Sequence, residues 1–246
     1  MNLRRFLLLG AALALGLLAK RAPGERRTNI AAIEEPEMTR DYLRIAETPQ
    51  FALIRWLVAR KAIGNASVGR AIDIGGGPGK LAVRLARMAP QVEVVSLDLS
   101  PEMVELANQN AAEAGLSDRV EGVLGSAESI PFPDASFDLA VSTLSLHHWE
   151  QPVAAFREID RVLKPDGRAL VVDLRRDMAL LPWLFVNFVQ HAIPLPALRR
   201  AGEPTASVKS GYTPNEVAAL LELAGLSWWQ VTSGPAWLAV ERNLDH

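Results

Sequence analysis

Ala71-Ile-Asp-Ile-Gly-Gly-Gly-Pro-Gly79 begins as a short apolar strand around Asp73, turns through four glycines and runs into a helical pattern at Lys80. Glycines let the main chain take positive φ and let a ligand approach it closely. A doubly wound α/β sheet builds its nucleotide crevice in this way, at the C-terminal edge of its first strand. Spacing narrows the choice of ligand. The dinucleotide fingerprint G-x-G-x-x-G requires a third glycine where Lys80 or Ala82 stands. A phosphate-gripping P-loop requires glycine and a hydroxyl where Ile74 and Leu81 stand. What remains is D-x-G-x-G-x-G.

Strands and helices alternate outward from this loop. The pattern predicts strands at 69–74, 92–98, 119–124, 137–142 and 168–174, with helices at 50–63, 79–88, 101–114 and 151–163 between them. Phe51, Ile54, Leu57 and Val58 give the first helix its sheet-facing side. Ser100-Pro101 supplies an N-cap and an N1 proline, and Gly115 closes that helix. Pro165 and Gly167 stop the fourth. A helix from Pro214 to Ala224 precedes a closing hairpin, 228–232 and 236–240, around Ser233-Gly234-Pro235. The expected fold is therefore α/β, doubly wound, with a mainly parallel seven-stranded sheet and an antiparallel C-terminal edge.

The 246 residues suit one domain with an ample core. The chain has no cysteine, which excludes disulfides and thiolate metal sites, and its four histidines show no metal-ligand spacing. Charge is unevenly placed. Arg4, Arg5, Lys20, Arg21, Arg26 and Arg27 against Glu25 give residues 1–27 a net of +5, which leaves −7 on the rest of a chain of net −2. An acidic body is a poor partner for nucleic acid.

Three further blocks follow the glycine loop in order: Val94-Val-Ser-Leu-Asp-Leu-Ser-Pro-Glu-Met103, Gly125-Ser-Ala-Glu-Ser-Ile-Pro-Phe-Pro-Asp-Ala-Ser-Phe-Asp138 and Leu163-Lys-Pro-Asp-Gly-Arg168. With the loop, these blocks resemble the class I S-adenosylmethionine-dependent methyltransferases, and within them the branch of the ubiquinone and menaquinone biosynthesis enzymes. The resemblance covers roughly residues 38 to 242. It implies a Rossmann-like fold, S-adenosyl-L-methionine as cosubstrate, no metal, and methyl transfer to a small, lipid-like acceptor. Gly75, Gly77 and Gly79 would then face the methionyl part, with Asp73 holding its amino end. Asp98 would accept the ribose hydroxyls, with Leu99 and Met103 along the adenine. Ser126 and Ala127 would meet the adenine edge beside the acidic Glu128, although the family commonly has Asp where Ser126 stands, which weakens the contact with the exocyclic amine. Ser142 starts a segment where the methionyl chain and the acceptor should meet. In that segment His147 or His148 is a candidate proton acceptor, or else fixes the loop by hydrogen bonding. Two rival readings share the fold: a different nucleotide-using enzyme, and a non-catalytic, membrane-tethered binder of the same cosubstrate.

Two apolar segments remain. Phe6 to Ala19 holds no polar residue but covers only roughly 21 Å as a helix, against a ~30 Å hydrocarbon core. Snorkelling by the flanking Arg4, Arg5, Lys20 and Arg21 would shorten the gap. A cleavable signal is the competing reading, but Lys20-Arg21 stands where its cleavage site would be. The surplus of positive charge after the run favours an anchor at 1–22 with the domain on the cytoplasmic face of a membrane, followed by a linker at 23–37. The second segment, Met178 to Leu198, falls in an insertion at about 177–212. It reads as a hydrophobic lid or a surface resting on a bilayer, with ordinary core packing as the alternative, and Tyr212 on its return loop could border the same pocket.

Overall fold

The computed structural model describes residues 15–16, 19, 21–27, 36–64, 68–192 and 195–242. Its sheet has seven strands: β1 (Arg70–Ile74), β2 (Glu93–Asp98), β3 (Val120–Leu124), β4 (Phe137–Thr143), β5 (Leu163–Leu174), β6 (Gln230–Ser233) and β7 (Trp237–Arg242). Their order is β3-β2-β1-β4-β5-β7-β6; the first five are parallel and β7 is antiparallel to both of its neighbours. The order reverses between β1 and β4, and a ligand crevice belongs at the C-terminal ends of those strands.

The pleat sorts side chains to two cores. Ile72 and Ile74 join Phe156, Ile159, Val217 and Leu221 on one face, contributed by helices α5 (Pro152–Val162) and α9 (Pro214–Ala224). Ala71 and Val94 join Val58, Leu81, Leu85 and Ala111 on the other, from α2 (Pro49–Ile63), α3 (Lys80–Met88) and α4 (Pro101–Glu113). The α2 face turns a little from the expected one: Leu57 is half exposed, while Val58, Ala59 and Ala62 are buried. Capping follows the sequence. Ser100 accepts from Met103 N–H at 3.4 Å, Thr213 and Glu216 form a reciprocal capping box, and Gly225 ends α9 at φ 81°.

The fifth strand starts earlier than its breakers suggested. β5 runs from Leu163 through Pro165 and Gly167, because the pairing jumps from Phe137↔Leu163 to Leu139↔Arg168. The intervening residues bulge out, so Pro165 sits where no ladder bond is needed.

Between β5 and α9 lie α6 (Leu180–Ala192), α7 (Pro196–Arg200) and α8 (Thr205–Ser210). Helix α1 (Pro36–Ala46) packs on α7, where the buried Asp41 carboxylate accepts the Ala197 N–H at 3.0 Å. Most of the apolar run 6–19 and of the proposed linker lies outside the described residues. Among those described, no helix is long and apolar enough to cross a membrane. Residues 21–27 dock on the domain as a strap. Arg26 stacks 4.1 Å over Tyr212 and donates to Ser210 O at 2.7 Å, and Arg27 N–H donates to Lys209 O at 3.2 Å.

Candidate active site

Three strands end in a carboxylate or close to one on the same edge of the sheet: Asp73 in β1, Asp98 in β2 and Asp173 in β5. The glycine loop is tied between the first two. Gly75 and Gly76 donate to Leu97 O at 2.9 and 3.0 Å, and Gly77 donates to Asp98 Oδ2 at 2.8 Å. The second oxygen, Oδ1, accepts Ser100 N–H at 3.0 Å, so Asp98 binds the loop and the start of α4 together. Burial pushes the Asp98 carboxyl above its ordinary value, and the N–H donors of Ser100, Gly77 and Leu99 work against that. Each oxygen keeps a lone pair for another donor.

Two of the glycines are required by packing as much as by φ. Gly75 and Gly79 sit at φ 65° and 69°. A Cβ on Gly75 would stand 2.1 Å from Ser145 Oγ, and one on Gly79 would stand 2.8 Å from Ala107 Cβ. The space their missing side chains leave is therefore filled by the protein, and Ser145 brings the 3-10 turn Leu146–His148 against the loop. At Gly77 the neighbour is the Tyr42 hydroxyl of α1, 3.5 Å from where a Cβ would be. Burial raises the Tyr42 pKa, and Asp98 and Asp73 raise it further while Arg55 opposes them.

Asp73 is 1% exposed, and its Oδ2 has no hydrogen-bond partner. Burial first, then the nearby Asp98, raises its pKa to about 7, with a backbone N–H donor at Ala82 opposing. The Ser96 hydroxyl beneath the loop is also buried without a partner. An orphaned buried carboxylate beside a glycine turn fits a ligand that brings a cation, such as the α-ammonium of S-adenosylmethionine.

The remaining candidates divide. Leu99 is 70% exposed at the mouth, whereas Met103 and Ala127 are buried. The Ser126 hydroxyl donates to Glu128, and Glu128 Oε1 accepts the N–H groups of Glu150 and Gln151 at 3.1 and 3.4 Å. This acid therefore faces the start of α5. Ser142 is fully buried and donates to Ile74 O at 2.8 Å, which clamps β4 to β1 under the crevice.

His147 is the side chain with the most defined chemistry. Its backbone N–H donates to Asp173 Oδ2 at 2.8 Å, and its Nδ1 lies 2.9 Å from both carboxylate oxygens. That geometry places the ring proton on Nδ1 and leaves Nε2, buried and without a partner, as the basic atom. Burial pulls the imidazole pKa down. The Asp173 charge and hydrogen bond, with Glu203, outweigh burial and an opposing Arg26, and hold it above the ordinary value. The His148 ring stacks at 4.0 Å. Arg26 of the strap reaches His147 O at 3.4 Å and so closes over this turn. Asp173 and Tyr42 have no part in the sequence reading, and Arg26 enters it only as a charge. Asp173 carried a signal, an acid closing an apolar strand just as Asp73 and Asp98 do.

Among the described residues no group of three or more His, Asp or Glu side chains is placed to hold a metal ion. A family profile described as a methyltransferase domain matches residues 72–171. Ubiquinone/menaquinone biosynthesis C-methyltransferase UbiE of Brucella anthropi is 31% identical over 198 residues, 76% of this chain and 74% of that protein. Demethylmenaquinone methyltransferase of Deinococcus radiodurans is 33% identical over 62% of each chain. Among solved structures, an S-adenosyl-L-methionine-dependent methyltransferase of Methanococcus maripaludis superposes with a TM-score of 0.65 at 26% identity, over 92% of this chain and 99% of that one. Identity sustained across three quarters of a relative, on a sheet shared end to end with another, is more than a common architecture would leave, and the chain belongs to the class I S-adenosylmethionine-dependent methyltransferases.

Proposed function

We propose that this methyltransferase acts on a lipophilic hydroquinone-type ring, at a ring carbon activated by a neighbouring hydroxyl. The supporting observation is the His147–Asp173 pair beside the glycine loop, with an unpartnered Nε2. Quinone-biosynthesis relatives and the apolar α6 agree with it. Asp73, Asp98 and the loop would hold S-adenosylmethionine, which supplies a methyl group on an electrophilic sulfonium. His147 Nε2 takes the hydroxyl proton, which raises electron density at the adjacent carbon. That carbon gains the methyl as the carbon–sulfur bond breaks, and sulfur keeps the electron pair. The ring proton then returns to oxygen, so one proton leaves overall. Holding the carbon in line behind the methyl supplies much of the rate, and His147 adds general-base assistance. Such an acceptor resides in a bilayer, and the run 6–19 is read as attachment to its cytoplasmic face.

Incubating the full chain with isotopically labelled S-adenosylmethionine and reduced quinone precursors of increasing prenyl length tests this. Label on a ring carbon is the expected result. Label on oxygen or nitrogen of another acceptor would replace the hydroquinone assignment, and tight cosubstrate binding without turnover on any membrane extract would favour a binding protein.

Asp73 gives a separate prediction. With its pKa at about 7 in the fold, the free enzyme holds this proton more tightly than the unfolded chain does. The proton's stabilising contribution is full below the ordinary carboxylate value and is lost as pH rises through about 7. A ligand ammonium placed on the carboxylate expels the proton. Calorimetry of S-adenosylhomocysteine binding in buffers of different ionisation heat should show roughly one proton released near pH 6 and roughly none near pH 8.5. Asp73→Asn should abolish the release; unchanged release in that variant would remove the role.

A further inference from the structure

A cavity of about 340 Å³ opens at the opposite edge of β2 and β3, where Arg70 and Arg119 nearly balance Glu93, Asp118 and Glu121, and it touches none of the chemistry above. A second cavity, about 200 Å³, lies where the strap crosses the base of α6, and its charge is not balanced. Arg21, Arg27, Arg176 and Lys209 line it against Glu25, with Trp183 as its apolar wall. Arg176 is 6% exposed; its terminal nitrogens donate to Gly211 O and pair with Glu216, and Arg21 donates to Arg176 O, but the Nε atoms of both arginines are buried without a hydrogen-bond partner. Burial draws the Arg21 guanidinium below its ordinary value; Asp177 pulls it back, and the like charge of Arg176 adds to the fall. Arg21 also stacks 4.2 Å over Trp183. Two buried Nε–H donors left over after the Glu216 pair, beside Arg27 and Lys209, fit an anion with several oxygens.

The wall continues into an apolar surface. Helix α6 has no Asp, Glu, Lys or Arg, and none of its side chains is fully buried. Leu184, Phe185 and Phe188 are 54%, 65% and 68% exposed, an unusual density of apolar surface for a protein in water. Gly16 and Ala19 reach the same place: Leu180 N–H donates to Ala19 O at 3.1 Å, and a Cβ on Gly16 would stand 3.3 Å from Leu181 Cβ.

We propose that the second cavity binds the phosphate of an anionic lipid headgroup while α6 lies in the acyl boundary of the same bilayer. An apolar helix beside clustered cations has the two components of interfacial membrane binding. The net of −7 beyond residue 27 repels an anionic surface, so this basic face sets the orientation of the whole enzyme. It also brings the acceptor side of the site to the lipid. The inference rests on the reading of an acceptor met at a membrane, and names what the protein grips there.

Sedimentation of the full chain with vesicles tests it. Vesicles of phosphatidylcholine alone are compared with vesicles containing about one third phosphatidylglycerol, for the wild type and for an Arg27→Gln/Lys209→Gln double variant. Each lost cation should weaken partition onto anionic vesicles about fivefold, hence about 25-fold for the pair. Partition onto phosphatidylcholine, which depends on apolar contact, should not change, and retained S-adenosylhomocysteine affinity shows that the variant is folded. Equal anionic partition of variant and wild type overturns the headgroup site. Wild-type binding that does not distinguish the two vesicles overturns it as well, while leaving the membrane reading standing; no binding to either overturns both. Thermal stabilisation by millimolar inorganic phosphate without a preference for anionic vesicles would assign the cavity to free phosphate. Dimerisation that excludes vesicles would assign α6 to a second copy. Both of those results also overturn the proposal.

Discussion

Asp98→Ala should weaken S-adenosylhomocysteine binding by about 10²- to 10⁴-fold, measured by calorimetry or thermal shift. Two hydroxyls bonded to a carboxylate contribute about 1.5–3 kcal/mol each, and each ~1.4 kcal/mol is tenfold in affinity. Part of the loss comes from the loop, because the variant leaves the Gly77 N–H without its partner at 2.8 Å. Asparagine should do little better. Both carboxylate oxygens already accept backbone N–H groups, from Gly77 and from Ser100. An amide must therefore turn its own NH₂ toward one of them, which sets donor against donor. Asp98→Asn retaining affinity within about threefold would remove Asp98 from ribose recognition.

His147→Gln should lower kcat by about 10²- to 10⁴-fold with the hydroquinone acceptor proposed above, the range that a positioned general base supplies. Its diagnostic is the pH profile. A base acts when neutral, so the wild-type rate should rise with pH through a midpoint above the ordinary histidine value, where Asp173 holds the ring. That limb should disappear in the variant while S-adenosylhomocysteine affinity is kept. In Asp173→Asn the raising charge is gone and burial pulls downward, so the midpoint should fall below the ordinary value. The rate should fall too, because the amide no longer enforces the Nδ1–H tautomer. The charged imidazolium is the form the fold favours, so this pair stabilises the enzyme most below the ordinary histidine pKa and less as pH rises through the raised one. A pH limb that survives in His147→Gln would assign His147 to loop fixation.

Much of this molecule was readable before any coordinates. Local chemistry explains why: the glycine loop, the Ser100-Pro101 and Thr213-Pro214 helix starts and the β-branched strand β2 each announce themselves within a few residues. What escaped depends on partners distant in sequence. Nothing near Glu128 indicates that it holds residues 150–151, and nothing near Arg26 indicates Tyr212, 186 positions away. Pro165 and Gly167 looked like breakers because their cost depends on whether the neighbouring strand asks for a bond there, and at the β4–β5 bulge it does not. Tyr42 was passed over because an isolated tyrosine in a polar helix has no local signature. Its meaning comes from the loop beneath it.

The bond from Asp41 to the Ala197 amide has a consequence for engineering. Helix α1 leans on the nucleoside loop through Tyr42 and on the insertion through Asp41, one residue apart. A chimaera that imports a relative's 177–212 segment alone would seat it on a latch cut for a different strike plate. Grafts intended to change acceptor range should therefore carry residues 36–46 along with the insertion.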